Sequence, residues 1–215
     1  MPTEDGPGRV VDQVRQSVLS GQPSDSPSIR SIDLFTIGHS TLPIGEFLAH
    51  LERHGVRALA DVRRFPGSRR HPHFGREALA ASLAARGIGY FHLPALGGRR
   101  VPRPDSPNTA WRNAGFRGYA DYMGLPEFHE ALDRLVGDAA ATPTVVVCAE
   151  ALPWRCHRWL MADALVARGV GVWHITADRV TPHRLTPFAR VDGDRIVYDG
   201  PPPPARQAEL FPEPL

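Results

Sequence analysis

The stretch VVVCAEALPWRCHRWLMADAL, Val145 to Leu165, carries both cysteines of the chain, Cys148 and Cys156. Glu150 lies between them, and His157 and Arg158 follow directly. Three chemistries compete for these residues. Zinc takes four ligands, of which Cys148, Cys156 and His157 could supply three. The seven residues between the cysteines are not the spacing of a zinc knuckle, so zinc is the weaker alternative and no cofactor is assigned. A phosphatase-type loop needs a cysteine, five residues and an arginine; here position 154 is tryptophan and the arginine comes one place later. The third chemistry has one or both thiols working beside a carboxylate and an imidazole as nucleophile, acid and base. Simple burial competes with it, because free cysteine is among the most buried residue types and Cys148 sits inside the apolar run VVVCA. Pro153 suits the first turn of the following helix, where its missing N–H costs nothing. That places Cys156 and His157 in or just after that turn, where the helix N-terminus, Arg155 and Arg158 favour a Cys156 thiolate.

Charge is distributed unevenly. The 215-residue chain has a net charge of +2, and all 25 of its basic residues are arginine. From Arg63 to Arg117 there are eleven arginines (63, 64, 69, 70, 76, 86, 99, 100, 103, 112 and 117) against two acids, Glu77 and Asp105. Codon bias explains the absence of lysine but not this clustering. Guanidinium forks bind phosphate bidentately, so the segment predicts a phosphate-bearing partner. A solvated face balanced by acids from other segments is the plainer alternative.

The elements that must position these groups read as alternating strands and helices. Ile32–Ile37 is β-like and ends in Gly38-His39-Ser40. PIGEFLAHLERHG has apolar residues at helical spacing and is closed by Gly55. VRALADVR is the second strand, GREALAASLAARG the second helix, and IGYFHLP the third strand. A long Pro/Gly-rich loop is expected from Ala95 to about Gly115. FRGYADYM leads into a third helix, PEFHEALDRLVGDA. TVVVCAE is a continuous β-branched strand of the kind buried on both faces, WRCHRWLMADALVARG the fourth helix, and VGVWHIT the fifth strand. The expected fold is a single α/β domain over residues 31–200. It has a mostly parallel sheet of about five strands, helices on both faces and a C-terminal hairpin around Asp192-Gly193-Asp194. Residues 1–30 read as a flexible arm and 201–215 as a Pro-rich tail.

In open parallel sheets ligands bind beyond the carboxyl ends of the strands. Those ends carry His39 and Ser40, then Asp61, Arg63 and Arg64, then His92, then Cys148 and Glu150, then His174. Convergence of such groups on one edge marks a site. The expected catalytic set is Asp61, Glu150, Cys148, Cys156, His157 and His39, lining one pocket. His92 and His174 alternate with apolar neighbours and read as core histidines, and Ser40 could equally cap the first helix. The expected phosphate-binding set is Ser40, Arg63, Arg64, Ser68, Arg69, Arg70, Arg99, Arg100, Arg117, Tyr119 and Arg158. Tyr90, Tyr119 and Trp111 are available to stack on bases.

The motifs TIGHS, DVRRFPGSRRHPHF, LGGRR, FRGYADYM and CAEALPWRCHR together resemble a bacterial and archaeal domain-of-unknown-function family, number four hundred and eighty-eight. The resemblance covers Leu34 to Thr176. It implies signature positions at His39, Ser40, Asp61, Arg63, Pro66, Ser68, Phe74, Gly97, Gly98, Arg117, Tyr119, Cys148, Glu150, Cys156, His157 and Arg158. It implies no activity.

QAELF in the tail is similar to the peptide by which bacterial repair and replication proteins bind the sliding clamp. Gln207, Leu210 and Phe211 fit that pattern, and Ala208 departs from the usual leucine. Two large apolar residues at the end of a proline spacer ask for a partner. The resulting expectation is a cytoplasmic enzyme, a hydrolase or transferase, that processes damaged or modified DNA and is tethered to the clamp. An enzyme of free nucleotides or phosphorylated metabolites is one rival, and a non-catalytic DNA-binding module is another. No apolar run approaches the roughly 20 residues of a membrane span, and no signal peptide is expected.

Overall fold

The structure, a computed structural model, describes residues 32–67, 70–176 and 179–201. The expected N-terminal arm, Ser68, Arg69, and Gln207, Leu210 and Phe211 of the tail lie outside the described residues.

The central sheet has six strands: β1 (Asp33–Gly38), β2 (Ala58–Asp61), β3 (Gly89–His92), β4 (Thr144–Cys148), β5 (Gly171–Ile175) and β6 (Val180–Pro182). Their order is β3-β2-β4-β1-β5-β6. The first five are parallel, as expected, and β6 adds an antiparallel edge to β5. A separate hairpin, β7 (Arg190–Asp192) and β8 (Arg195–Val197), turns at Gly193, whose φ of 58° is left-handed and suits glycine.

The described helices are α1 (Ile44–Arg53), α2 (Arg76–Ala84), α3 (Ala114–Tyr122), α4 (Pro126–Ala141) and α5 (Arg158–Ala167). They cover both faces of the sheet, because alternate strand residues point to opposite sides. On one face Phe47, Leu48 and Leu51 of α1 and Leu79 and Leu83 of α2 pack on Ile37, Leu59, Val145 and Val147. On the other, residues of α3, α4 and α5, among them Ala120, Leu132, Leu135, Leu160 and Met161, pack on Leu34, Ala60, Val146 and Cys148.

Two local expectations need correction. The segment before Met123 is a helix of its own, α3, started by Asn113, whose side chain accepts the Phe116 N–H. The helix after the fourth strand starts later than its sequence indicated. Pro153–Arg155 is a single 3₁₀ turn, Cys156 is extended (φ −132°, ψ 147°), and α5 begins only at Arg158. Cys156 therefore lies before the helix and not in its first turn.

A fully buried polar chain ties α5 to the segment after β6. Asp163 and the side chain of His183 have no exposure. The Asp163 carboxylate accepts from His183 Nε2 (2.9 Å), from the Thr186 N–H and hydroxyl, and from the Tyr198 hydroxyl. His183 Nδ1 then accepts from His174 Nε2 (2.9 Å), and His174 Nδ1 accepts from the Thr36 hydroxyl (2.6 Å). Both ring nitrogens of His174 are thus committed in its neutral form. Burial, then His183 and Arg158, push its pKa down to about 2.

That shift has a sign. A histidine of ordinary pKa, near 6.5, takes up a proton in the unfolded chain that folded His174 refuses. Stability is then full above about pH 6.5 and falls as pH drops toward 2. Between pH 7 and pH 5 His174 alone should remove about 2 kcal/mol. Urea unfolding at the two pH values checks this, and His174→Gln should flatten the dependence. A stability unchanged between pH 7 and pH 5 would contradict the neutral relay.

Candidate functional site

The carboxyl edge of the sheet carries two polar centres, one on each face. Adjacent strands bring them together. Asp61 pairs in register with His92 and Val147, and Gly38 with Cys148. The His39 N–H continues the ladder to the Cys148 carbonyl (3.0 Å) and the Ser40 N–H to that of Ala149 (2.9 Å).

The first centre lies on the α1/α2 face. Asp61 is fully buried and Arg63 is 7% exposed. Arg63 grips the carboxylate with Nε (2.9 Å) and Nη2 (2.6 Å), and its backbone N–H adds a third bond (3.0 Å). The Tyr90 hydroxyl donates to the same carboxylate (2.9 Å). Arg63 Nη1 donates to the Phe74 carbonyl (2.8 Å) and to His39 Nε2 (3.1 Å). His39 Nδ1 is then the protonated nitrogen and donates to the Ser40 carbonyl (3.0 Å). Burial and the Arg63 guanidinium lower the His39 pKa to about 4, so this ring is neutral and stacks on Phe74 with centroids 4.2 Å apart.

The second centre lies on the α3/α4/α5 face. Cys148 and Cys156 are buried and free of any disulfide. His157 Nδ1 is 3.6 Å from Cys156 Sγ and 4.0 Å from Cys148 Sγ. The Cys156 thiol donates toward Cys148 and, with His157, holds the Cys148 thiol well below its usual value. Burial pushes the Cys156 thiol up. The sulfur favoured as thiolate is therefore Cys148, where sequence favoured Cys156. The reason is burial and pairing: Cys156 is desolvated and lends its proton to Cys148, and the Arg158 N–H and guanidinium at the start of α5 do not outweigh this.

Arg158 builds this centre. It is fully buried, and its guanidinium donates to the carbonyls of Glu150 (2.6 Å) and Ala151 (2.7 Å). It thereby fixes the loop between the two cysteines. Gly38 must be glycine for the same reason, since a Cβ there would collide with the Glu150 carbonyl and lie 2.8 Å from Arg158 Nη1. Glu150 is half-buried, and its carboxylate accepts the Leu152 N–H (3.3 Å). Gly98 packs directly on His157; a Cβ there would lie 2.8 Å from Nδ1.

The expected catalytic set divides by hydrogen bonding into two groups, Cys148, Cys156, His157 and Glu150 in one and Asp61 and His39 in the other, with His39 still near enough to Cys148 for their charges to interact. Of the expected phosphate ligands, Arg63 and Arg158 turn inward and are spent on protein partners. Tyr119 is also inward, with no exposure and its hydroxyl on the Leu96 carbonyl (2.9 Å). Trp111 is buried against Phe116, Phe188 and Tyr198. Neither ring offers a face to a base in this arrangement. Ser40 does not cap α1, whose N-cap is Pro43 without a side-chain bond. Ser40 instead takes a left-handed φ of 44° as the chain leaves β1. Arg100 folds over its own loop, bonding the carbonyls of Gly97 and Ala95, with its guanidinium 3.5 Å from the Tyr122 ring centroid.

Arg64, Arg70 and Arg99 are exposed, and none makes an ion pair among the described residues. Arg117, half-buried on α3, likewise makes none there. Arg64 Nη1 donates to the Arg99 carbonyl (3.3 Å), which joins the two basic loops. Sequence reasoning missed Phe65. It is 69% exposed, with the Arg64 guanidinium 5.8 Å from its ring centroid. Its signal was an aromatic residue between arginine and proline in a loop that no core claims.

Among the described residues, no helix is long and apolar enough to cross a membrane. No curated protein and no solved structure matches the chain. A family model described as "Domain of unknown function DUF488" matches residues 43–165, more than half of the chain and the segment that carries both centres apart from His39. The chain belongs to that family.

Proposed function

We propose that the protein is a nucleic-acid-processing enzyme acting on damaged or modified DNA by hydrolysis or group transfer. One observation carries the reading: a single loop, Gly97–Arg100, touches both halves of such a machine. Its Arg99 carbonyl accepts from Arg64, and its Gly98 packs on His157. One loop thus contacts both an exposed arginine and the His157 ring, and this contact supports the reading. Arg64, Arg70 and Arg99 would hold the backbone, and Phe65 would stack on an unpaired base. Glu150 is the carboxylate left for acid/base work, since both Asp61 oxygens are held by Arg63 and one of them also by Tyr90.

Incubation with a panel of modified oligonucleotides and free nucleotides, read by mass spectrometry, tests this. An oligonucleotide should change mass with the native protein and not with His157→Ala, which should still bind the strand. Turnover of free nucleotides alone would move the reading to a nucleotide enzyme. Binding without any turnover would leave a DNA-binding module.

The tail extends the proposal. Gln207, Leu210 and Phe211 would tether the enzyme to the bacterial sliding clamp, and the support for this is the sequence of the peptide and its proline spacer. A short peptide contact of this size should bind at roughly micromolar affinity. Replacing Leu210 and Phe211 by Ala should remove about 3 kcal/mol, because a few anchors dominate such contacts. Calorimetry with purified clamp reads this directly, and no heat with the intact protein would end the tether.

A further inference from the structure

Three soft or borderline donors meet on the α3/α4/α5 face. The sulfurs of Cys148 and Cys156 and a ring nitrogen of His157 all lie within 4.8 Å of one another. No other histidine, cysteine or carboxylate among the described residues joins the group. We propose that these three side chains bind one zinc ion, leaving the fourth position of its tetrahedron to water or substrate.

The distances fit. With Zn–S about 2.3 Å and Zn–N about 2.05 Å, a tetrahedral angle sets the N···S edge at about 3.6 Å. The observed His157 Nδ1 edges are 3.6 Å to Cys156 and 4.0 Å to Cys148. A shift of a few tenths of an ångström closes the second. Thiolate and imidazole are the ligands zinc prefers, and two cysteines with one histidine is a known open-site set.

The ring itself asks for a metal. His157 makes no short hydrogen bond at either nitrogen: Nδ1 meets only sulfur, at 3.6 and 4.0 Å, and Nε2 is buried without a partner. A half-buried imidazole whose nitrogens find no oxygen or nitrogen partner is poorly used, and a metal at Nδ1 satisfies one of them. The ring is nevertheless held firmly, by Gly98 on one side and by Tyr119 with centroids 5.1 Å apart. Arg158 fixes the loop that spaces the two sulfurs. That loop explains the unusual sequence spacing. The cysteines reach one ion across a 3₁₀ turn and an extended residue, where a knuckle would use a tight turn.

The site stands whether or not a nucleic acid is the substrate, and metal content reads it independently of strand binding. The full chain, produced in zinc-supplemented medium, should carry about one zinc per molecule by elemental analysis. His157→Ala, Cys156→Ser and Cys148→Ser should each lower zinc affinity at least about 10-fold. Arg86→Ala, which removes only an exposed pair with Glu52 on the α1/α2 side, should keep it. Cobalt added to the stripped protein should give the intense visible bands of a tetrahedral site and a sulfur-to-metal charge-transfer band. That readout on the native chain stands even where a cysteine variant fails to fold. A native protein that holds no zinc and gives no tetrahedral cobalt spectrum would overturn the proposal. So would zinc retained at full affinity in both His157→Ala and Cys156→Ser.

Discussion

Asp61→Asn should cost the fold about 3 to 5 kcal/mol, a large share of the stability of an ordinary domain. The carboxylate is fully buried and accepts four hydrogen bonds, three from Arg63 and one from Tyr90. An asparagine keeps the shape but presents an amide N–H₂ to donors that need an acceptor. It also leaves the Arg63 charge buried without its counter-charge. Removing one partner of a buried pair is far worse than removing both, because the survivor is stranded. The double variant Asp61→Leu/Arg63→Leu should therefore recover part of the loss. Urea unfolding of the native protein and the two variants measures it. A cost below about 1 kcal/mol for Asp61→Asn would mean that the pair does not hold the edge together. The position was legible in sequence as a chemical residue at a strand end, and the structure adds what it holds in place. It anchors Arg63, which in turn holds His39 and the Phe74 carbonyl, and so sets the path of the basic loop between them.

The parallel sheet was readable because its strands are short apolar runs punctuated by glycine-closed helices. Gly55 and Gly87, with φ of 64° and 67°, stop α1 and α2 where the pattern placed the ends. The boundary of α5 was not readable. WRCHRWLMADAL is helical in pattern throughout, yet the tertiary bonds of Arg158 to the Glu150 and Ala151 carbonyls hold the chain out of helix until position 158. Helix propensity is a weak prior against two charge-assisted bonds in a buried setting.

The buried relay was half visible. His174 read correctly as a core histidine, but its partners Asp163 and His183 went unremarked. Asp163 did carry a signal, as a lone acid inside the apolar run WLMADALV. A carboxylate there must find donors, and the structure supplies them from a segment twenty residues and more away. Charge counting failed in another way. It treated eleven arginines as one surface, whereas Arg63 is buried and Arg86 and Arg103 pair with Glu52 and Asp105. Exposure is a property of side-chain direction, which a count does not contain.

What remains is Arg64, Arg70 and Arg99, exposed and outside any ion pair among the described residues, with the exposed Phe65 ring beside Arg64. The protein should bind single-stranded DNA through Arg64, Arg70 and Arg99, with Phe65 stacked on a base. If about four phosphates are contacted, log affinity should fall against log salt with a slope of about −3. Arg64→Ala with Arg99→Ala should make the slope shallower by about 1.5, two contacts' worth. Phe65→Ala should weaken binding by about 1 to 3 kcal/mol, some 5- to 150-fold, and leave the slope unchanged, because stacking releases no counterions. Both sets lie on exposed loop positions, so unfolding curves should stay as in the native protein. The most direct measurement is fluorescence anisotropy of a labelled oligonucleotide titrated with the full chain across a range of salt concentrations. The account predicts tight binding at low salt, that slope, and the separate effects of the two sets of substitutions. No binding at low salt, or binding that ignores both salt and Arg64, would contradict it.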